Sequence, residues 1–260
     1  MNTRNFIKML KSIRYSIPFD IDSPERTLFH KKIIQEKLFL SKLYREWYSI
    51  LSDIKQHLPP GEMIELGSGG GFLKEIEPTI ICSDILDLPT NDLTFSALDM
   101  PFSDGQVSAI FMIDTFHHIP DSELFLKEVT RVLKKDGLLI MIEPANTVWG
   151  RFIYKNFHHE PFNLNGDWTI PDKGPLSGAN GALPWIVFKR DKEKFKRLFP
   201  GLAVADLHFH TPLRYLVSGG VSFKQLAPDF TYPFVQFFDK VLPSIWKELS
   251  MFVTIKIKKI

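Results

Sequence analysis

The spacing of apolar and polar positions changes period along the chain. Near the N-terminus, Phe6, Met9, Leu10, Ile13 and Ile17 recur at helical intervals among Arg4, Lys8, Lys11 and Arg14, and Pro18 closes the run. Two readings fit this basic helix: a docking helix with a solvated cationic face, or a helix lying on anionic lipid, with a mitochondrial transit peptide as a minor third. Ser23-Pro24-Glu25 has the form of a helix start, Ser23 as N-cap and Pro24 at the first turn. One apolar stripe (Leu40, Leu43, Trp47, Ile50, Leu51, Ile54, Leu58) predicts a helix running to about Leu58, and Pro59-Pro60-Gly61 ends it.

From residue 61 short apolar runs alternate with amphipathic ones. The runs EMIELG, TIICSDI, TFSAL, VSAIFMID and LLIMIE read as five strands, the fourth apolar enough to be buried on both faces. FLKEIE and DSELFLKEVTRVLKK read as helices between them, the second capped by Asp121 or Ser122. Such alternation predicts a doubly wound, mostly parallel α/β sheet. Beyond Pro144 the pattern breaks. Residues 145–186 and 211–250 are rich in Pro and aromatics and show no clear period, while LAVADLHFH and MFVTIKIKKI supply a sixth and a terminal strand. The expected organisation is an N-terminal helical extension over residues 1–60 and a domain over 61–260, with segments 145–186 and 211–250 forming an irregular cap.

Composition narrows the classes. The chain has 260 residues, 44% hydrophobic and 24% charged, which excludes a disordered or fibrous chain. Its single cysteine, Cys82, excludes an intramolecular disulfide and any cysteine-based metal cluster. No apolar run reaches the roughly 20 residues that span a bilayer, so the expected location is cytoplasmic, with peripheral contact to anionic membrane as the second reading of the basic helix. A formal net charge of +2 hides a strong asymmetry. Residues 61–150 carry 15 acidic and 5 basic side chains, and both flanks are basic.

The most informative stretch is Glu65-Leu66-Gly67-Ser68-Gly69-Gly70-Gly71, where a strand passes into a helix through a glycine turn. A dinucleotide fingerprint counted from Gly67 needs a third glycine at position 72, which is Phe72. The observed spacing, Glu65, Gly67, Gly69, Gly71, resembles motif I of the class I S-adenosylmethionine-dependent methyltransferases. Asp84 at the end of the second strand, Asp99 in ALDMPFSDG, and DTFHHIPD followed by RVLKKDG agree with that family, in particular with its small-molecule and lipid subgroup. The resemblance implies S-adenosylmethionine as cofactor and a Rossmann-like seven-stranded sheet. It also implies that Glu65, Gly67, Ser68, Gly69 and Gly71 line the cofactor. Asp84, with Ile85 beside it, then holds the ribose hydroxyls, and Asp99 faces the adenine amine with a backbone contact from Met100. The acidic middle segment independently suits a cationic sulfonium better than an anionic pyrophosphate.

Methyl transfer from a sulfonium is an in-line displacement that needs orientation and, for a hydroxyl acceptor, a base. The fourth strand ends near Asp114, so Asp114, His117 and His118 are the candidate catalytic residues. His158, His159, Trp185 and Arg214 are candidates for binding the acceptor. Two histidine pairs raise the question of a metal, but no carboxylate at a supporting spacing accompanies them, and none is expected. The tetrapeptide after the fourth strand, Asp114-Thr115-Phe116-His117, lacks the Asn-Pro-Pro-aromatic form that the family uses on nucleic-acid amines, so no nucleic-acid partner is expected. The expected function is methylation of a small acceptor, a lipid, quinone or saccharide intermediate. A cofactor-binding protein without turnover, acting as partner or scaffold, is the alternative. No obligate protein partner is identifiable from the sequence.

Overall fold

The computed structural model describes residues 13–171 and 174–260, so most of the basic N-terminal run lies outside the described residues. Seven strands form one sheet: β1 (Glu62–Leu66), β2 (Ile81–Asp84), β3 (Leu93–Thr94), β4 (Val107–Ile113), β5 (Leu133–Pro144), β6 (Leu202–His210) and β7 (Phe252–Lys259). Their order is β3-β2-β1-β4-β5-β7-β6. Every pair is parallel except the two that β7 makes with β5 and β6. The doubly wound expectation therefore holds, with the terminal strand reversed between its neighbours. β4 lies at the centre, and all seven of its residues are buried, as its unbroken apolar run requires.

The N-terminal helix breaks in two, into α1 (Pro24–Glu36) and α2 (Leu38–Lys55), where one continuous helix was expected. Ser23 caps α1 as its sequence indicates, its hydroxyl accepting from the Arg26 N–H at 3.3 Å. The break falls at Lys37, whose backbone is extended. Its buried ammonium donates to the carbonyls of Ser218 (3.1 Å), Gly220 (2.5 Å) and Phe223. A lysine so placed exchanges a turn of helix for three carbonyl partners that no local pattern discloses. α2 then turns Leu43, Trp47 and Tyr48 into the same core as the sheet residues Ile64, Ile110 and Phe111.

Between the strands lie α3 (Leu73–Ile76) and α4 (Ser122–Val132). α4 starts at Asp121, whose carboxylate accepts from the Glu123 and Leu124 N–H groups. It buries Phe125, Leu126, Val129 and Val132 at helical spacing. The two segments without legible period are partly helical. They contain α5 (Val148–Phe157), capped by Thr147, and α6 (Leu183–Trp185, continued by a wider turn to Arg190) after β5, and α8 (Arg214–Ser218) and α9 (Tyr232–Ile245) after β6; between the two segments α7 (Lys192–Leu198) forms where RDKEKFKRLFP has a helical pattern. Pro144 of β5 and His210 of β6 both pair with Phe252, the first residue of β7. Segments 145–186 and 211–250 therefore leave from the edge at which β1 gives way to the glycine loop and β4 to Asp114.

Candidate active site

The glycine turn follows β1 because the chain must reverse there under tight steric limits. Gly67 has φ +66°, and a Cβ on it would collide with the Thr115 side chain. Gly69 donates its N–H to Asp84 Oδ2 at 3.1 Å, and Thr90 Oγ1 donates to the Gly69 carbonyl at 2.7 Å. The other oxygen of Asp84 accepts from Leu86 N–H at 3.0 Å. Burial lifts the Asp84 carboxyl above its usual range, with these backbone donors opposing it. Ser68 is buried, its N–H held by the Ser83 carbonyl at 2.9 Å, and Ile85 stands 56% exposed beside the loop. A half-open apolar side chain next to a carboxylate and turned backbone is a fitting surface for a nucleoside.

Three expected cofactor residues occupy different environments. Glu65 lies beneath the loop, 1% exposed, bonded to the Tyr48 hydroxyl and approached by the Cys82 thiol at 3.7 Å. Burial pushes its pKa up to about 8, and its closed position corrects the expectation that it lines an open cofactor surface. Asp99 is an exposed turn residue. Met100 is buried, and its backbone is already engaged: its N–H donates to Glu128 Oε2 at 2.9 Å and its carbonyl accepts from Arg131 at 2.9 Å. The expected Met100 backbone contact to a base is therefore corrected, because its donor is committed to α4.

At the end of β4 the polar groups converge. Asp114 has φ +55°, an uncommon backbone state for a residue with a side chain, and its N–H donates to the Ile142 carbonyl at 2.8 Å. Burial pushes its pKa up to about 7, His117 opposing and Glu143 and Glu160 adding to the rise. His117 is 1% exposed. Its Nδ1 lies 2.7 Å from Glu143 Oε2 and its Nε2 3.1 Å from Glu160 Oε2. Burial disfavours its charge, but the two carboxylates outweigh that and hold its pKa well above the ordinary value. Glu143 is fixed in turn by the Thr115 and Phe116 N–H groups at 3.0 and 2.7 Å. His118 donates from Nδ1 to the Gly178 carbonyl at 2.9 Å, and burial lowers its pKa to about 4.

Glu160 and Glu143 were not singled out in the sequence. Glu160 follows the His158-His159 pair directly, and that adjacency was the one signal available for it. The fold gathers three-residue sets of ligand type, His117/His118/Glu160, His158/His159/Glu160 and Asp114/His117/Glu143, each with its ligand atoms within 4.8 Å of one another. The expectation that no carboxylate accompanies the histidines is thereby corrected: the partners come from β5 and from the turn after α5.

Two neighbouring cavities adjoin this cluster. The smaller is lined by Asp114, Tyr154, His158, Glu160 and Tyr215 among others. The larger, about 240 Å³, has Ile153, Phe157, His159, Leu216, Val221 and Phe223 in its mostly apolar wall, and it shares Tyr154, His158 and Tyr215 with the first. His158 and His159 thus lie where an acceptor could reach them. Trp185 packs against the core and lines neither cavity. Arg214 is also corrected as an acceptor ligand. It is 3% exposed, its Nε donates to Asp239 at 2.6 Å, and its two terminal nitrogens donate to Glu46 at 2.7 and 2.9 Å. The guanidinium joins α8 and α9 to α2.

Comparison with known proteins bears on the cofactor half. Residues 73–141 match the family model described as a methyltransferase domain. A stretch of 84 residues, 32% of this chain, is 29% identical to the 2-methyl-6-phytyl-1,4-hydroquinone methyltransferase of Synechocystis sp. (strain ATCC 27184 / PCC 6803 / Kazusa), of which it spans 26%. The fold is similar to that of geranyl diphosphate C-methyltransferase from Streptomyces coelicolor A3(2), with a TM-score of 0.50 and 14% identity over 95% of this chain and 90% of that one. Over residues 73–141 the chain therefore carries a methyltransferase domain, set in a seven-stranded sheet with β7 reversed whose fold is similar to that of a known methyltransferase.

Proposed function

We propose that the protein transfers the methyl group of S-adenosylmethionine to an oxygen of a small, largely apolar acceptor. The observation that carries this reading is one juxtaposition. The Gly69–Asp84 turn, Asp114 and the 240 Å³ apolar cavity sit on a single edge of the sheet. In an open α/β sheet ligands bind outside the carboxyl ends of the strands, and here that edge offers a nucleoside surface on one side and an apolar chamber on the other. Asp84 accepts from the ribose hydroxyls and the glycine loop follows the amino-acid portion. Asp114 takes the acceptor proton as the methyl leaves sulfur, and segments 145–186 and 211–250 act as the cap that keeps water out. The related quinol methyltransferase makes a hydroxylated ring with an isoprenoid tail the best acceptor class, and an apolar wall favours it over a saccharide.

Calorimetry with S-adenosylmethionine, S-adenosylhomocysteine and NAD tests the cofactor half of the proposal. Binding of the first two without NAD is expected, and NAD binding alone would overturn it. Labelled-methyl transfer to a prenylated quinol tests the acceptor half. Loss of turnover in Asp114→Asn with unchanged cofactor affinity is the expected signature of the base, whereas full turnover would remove Asp114 from that role.

A further inference from the structure

The polar cluster beside the cavity contains more imidazole than proton transfer requires. Four imidazoles, those of His117, His118, His158 and His159, gather around one carboxylate, Glu160. Glu160 Oε2 lies 3.1 Å from His117 Nε2, and Glu160 Oε1 lies 3.6 Å from His118 Nε2. Metal bonds of about 2.0–2.2 Å set two ligand atoms roughly 3.0–3.5 Å apart at 90–110°; the first separation falls inside that range and the second just above it. The remaining edge, between the two imidazole nitrogens, is within 4.8 Å.

The outer partners define which nitrogens are available. His117 Nδ1 faces Glu143, a carboxylate already accepting two backbone N–H groups, so Nδ1 carries the proton. His118 Nδ1 faces the Gly178 carbonyl, which can only accept. Both rings are thereby fixed with Nε2 directed at Glu160, the arrangement in which a carboxylate or carbonyl orients a metal-binding imidazole from behind. A metal ion bound there would take the place of the proton that His117 Nε2 shares with Glu160. The His158/His159/Glu160 set fits less well. His158 Nδ1 accepts from the Glu160 N–H at 3.4 Å, and His159 is half open to solvent.

We propose that His117 Nε2, His118 Nε2 and the Glu160 carboxylate form a binding site for one divalent ion of the zinc class, with its open positions toward the cavity that Asp114 lines. Two imidazoles and one carboxylate suit a borderline ion and leave room for an acceptor oxygen. The inference deepens the proposed reaction by adding a group that would orient that oxygen, but it is tested without turnover, so either can fail alone.

The test uses the full-length protein, chelator-stripped and then dialysed against zinc or cobalt. One ion per chain by elemental analysis, with cobalt d–d absorption in the visible, is expected. His118→Ala and Glu160→Gln should each weaken cobalt binding by roughly tenfold or more, Glu143→Gln by roughly tenfold through the ring it orients, and His159→Ala should leave it unchanged. Circular dichroism and calorimetry with S-adenosylhomocysteine identify any variant that fails to fold, and His118→Gln, which keeps a polar side chain, replaces it. No stoichiometric ion in the folded wild type would overturn the site. Loss that follows His159 while sparing His118 would overturn the assignment of ligands.

Discussion

The two halves of the sheet's carboxyl edge are built by different physics. On the side of β1, β2 and β4 the groups proposed to hold the cofactor lie close in sequence: a glycine turn, Asp84 receiving its N–H, and an exposed Ile85. On the side of β5, β6 and β7 the cavity walls are held in place only through long-range contacts, as when Lys37 clamps the loop at residues 218–223 or Arg214 joins Glu46 to Asp239. The first half is a backbone device, set by local sterics at the glycine turn. The second depends on buried charges that hold only while each has its partner.

That contrast breaks most visibly at Arg214. Asp239→Ala leaves a buried guanidinium half-paired and is expected to cost about 3–5 kcal/mol of stability, read as a lower denaturant midpoint. Cofactor affinity of the folded fraction should stay within about twofold. A loss of affinity with no loss of stability would mean that the two halves are not separable. Next in size, Asp84→Ala should weaken S-adenosylmethionine by about 1.5–3 kcal/mol, the range for hydrogen bonds to a charged group. Equal affinity in a folded variant would take Asp84 out of the site.

Glu65 offers a subtler probe of the cofactor half. Its pKa is raised from the usual carboxylate range to about 8 by burial. The folded state therefore holds a proton that the unfolded chain releases above about pH 4.3. Stability must fall as pH rises from there to about 8, and flatten beyond. Thermal midpoints between pH 5 and 8 should show a shallower decline in Glu65→Gln than in wild type, and identical slopes would sink the assignment. The smallest effect belongs to the acceptor wall. Phe157→Ala should raise KM for a prenylated quinol severalfold and leave cofactor affinity within about twofold, since the cavity it lines lies apart from the glycine loop.

Much of the architecture was legible before any coordinates. The alternation of strands and helices, the buried β4, the Ser23 cap and a terminal strand all follow from local pattern, while the reversal of that strand is read from the sheet itself. The glycine spacing and Asp84 were legible too, because a sharp strand-to-helix turn requires particular residues at particular positions. The single N-terminal helix was misread because Lys37 answers to carbonyls some 180 residues away. α5 and α9 were missed because aromatics and prolines obscure their period, although both are amphipathic in place.

The sequence alone therefore specifies the half governed by backbone sterics and short-range periodicity: the sheet, its central strand and the glycine turn after β1. Only the tertiary structure decided the rest. It moved Arg214 from a ligand to a girder, engaged the Met100 N–H with Glu128, and brought Glu143 and Glu160 to either side of His117. The reason is electrostatic. A buried charge is defined by whatever lies within a few ångströms of it, and those neighbours come from strands and turns that share no pattern along the chain.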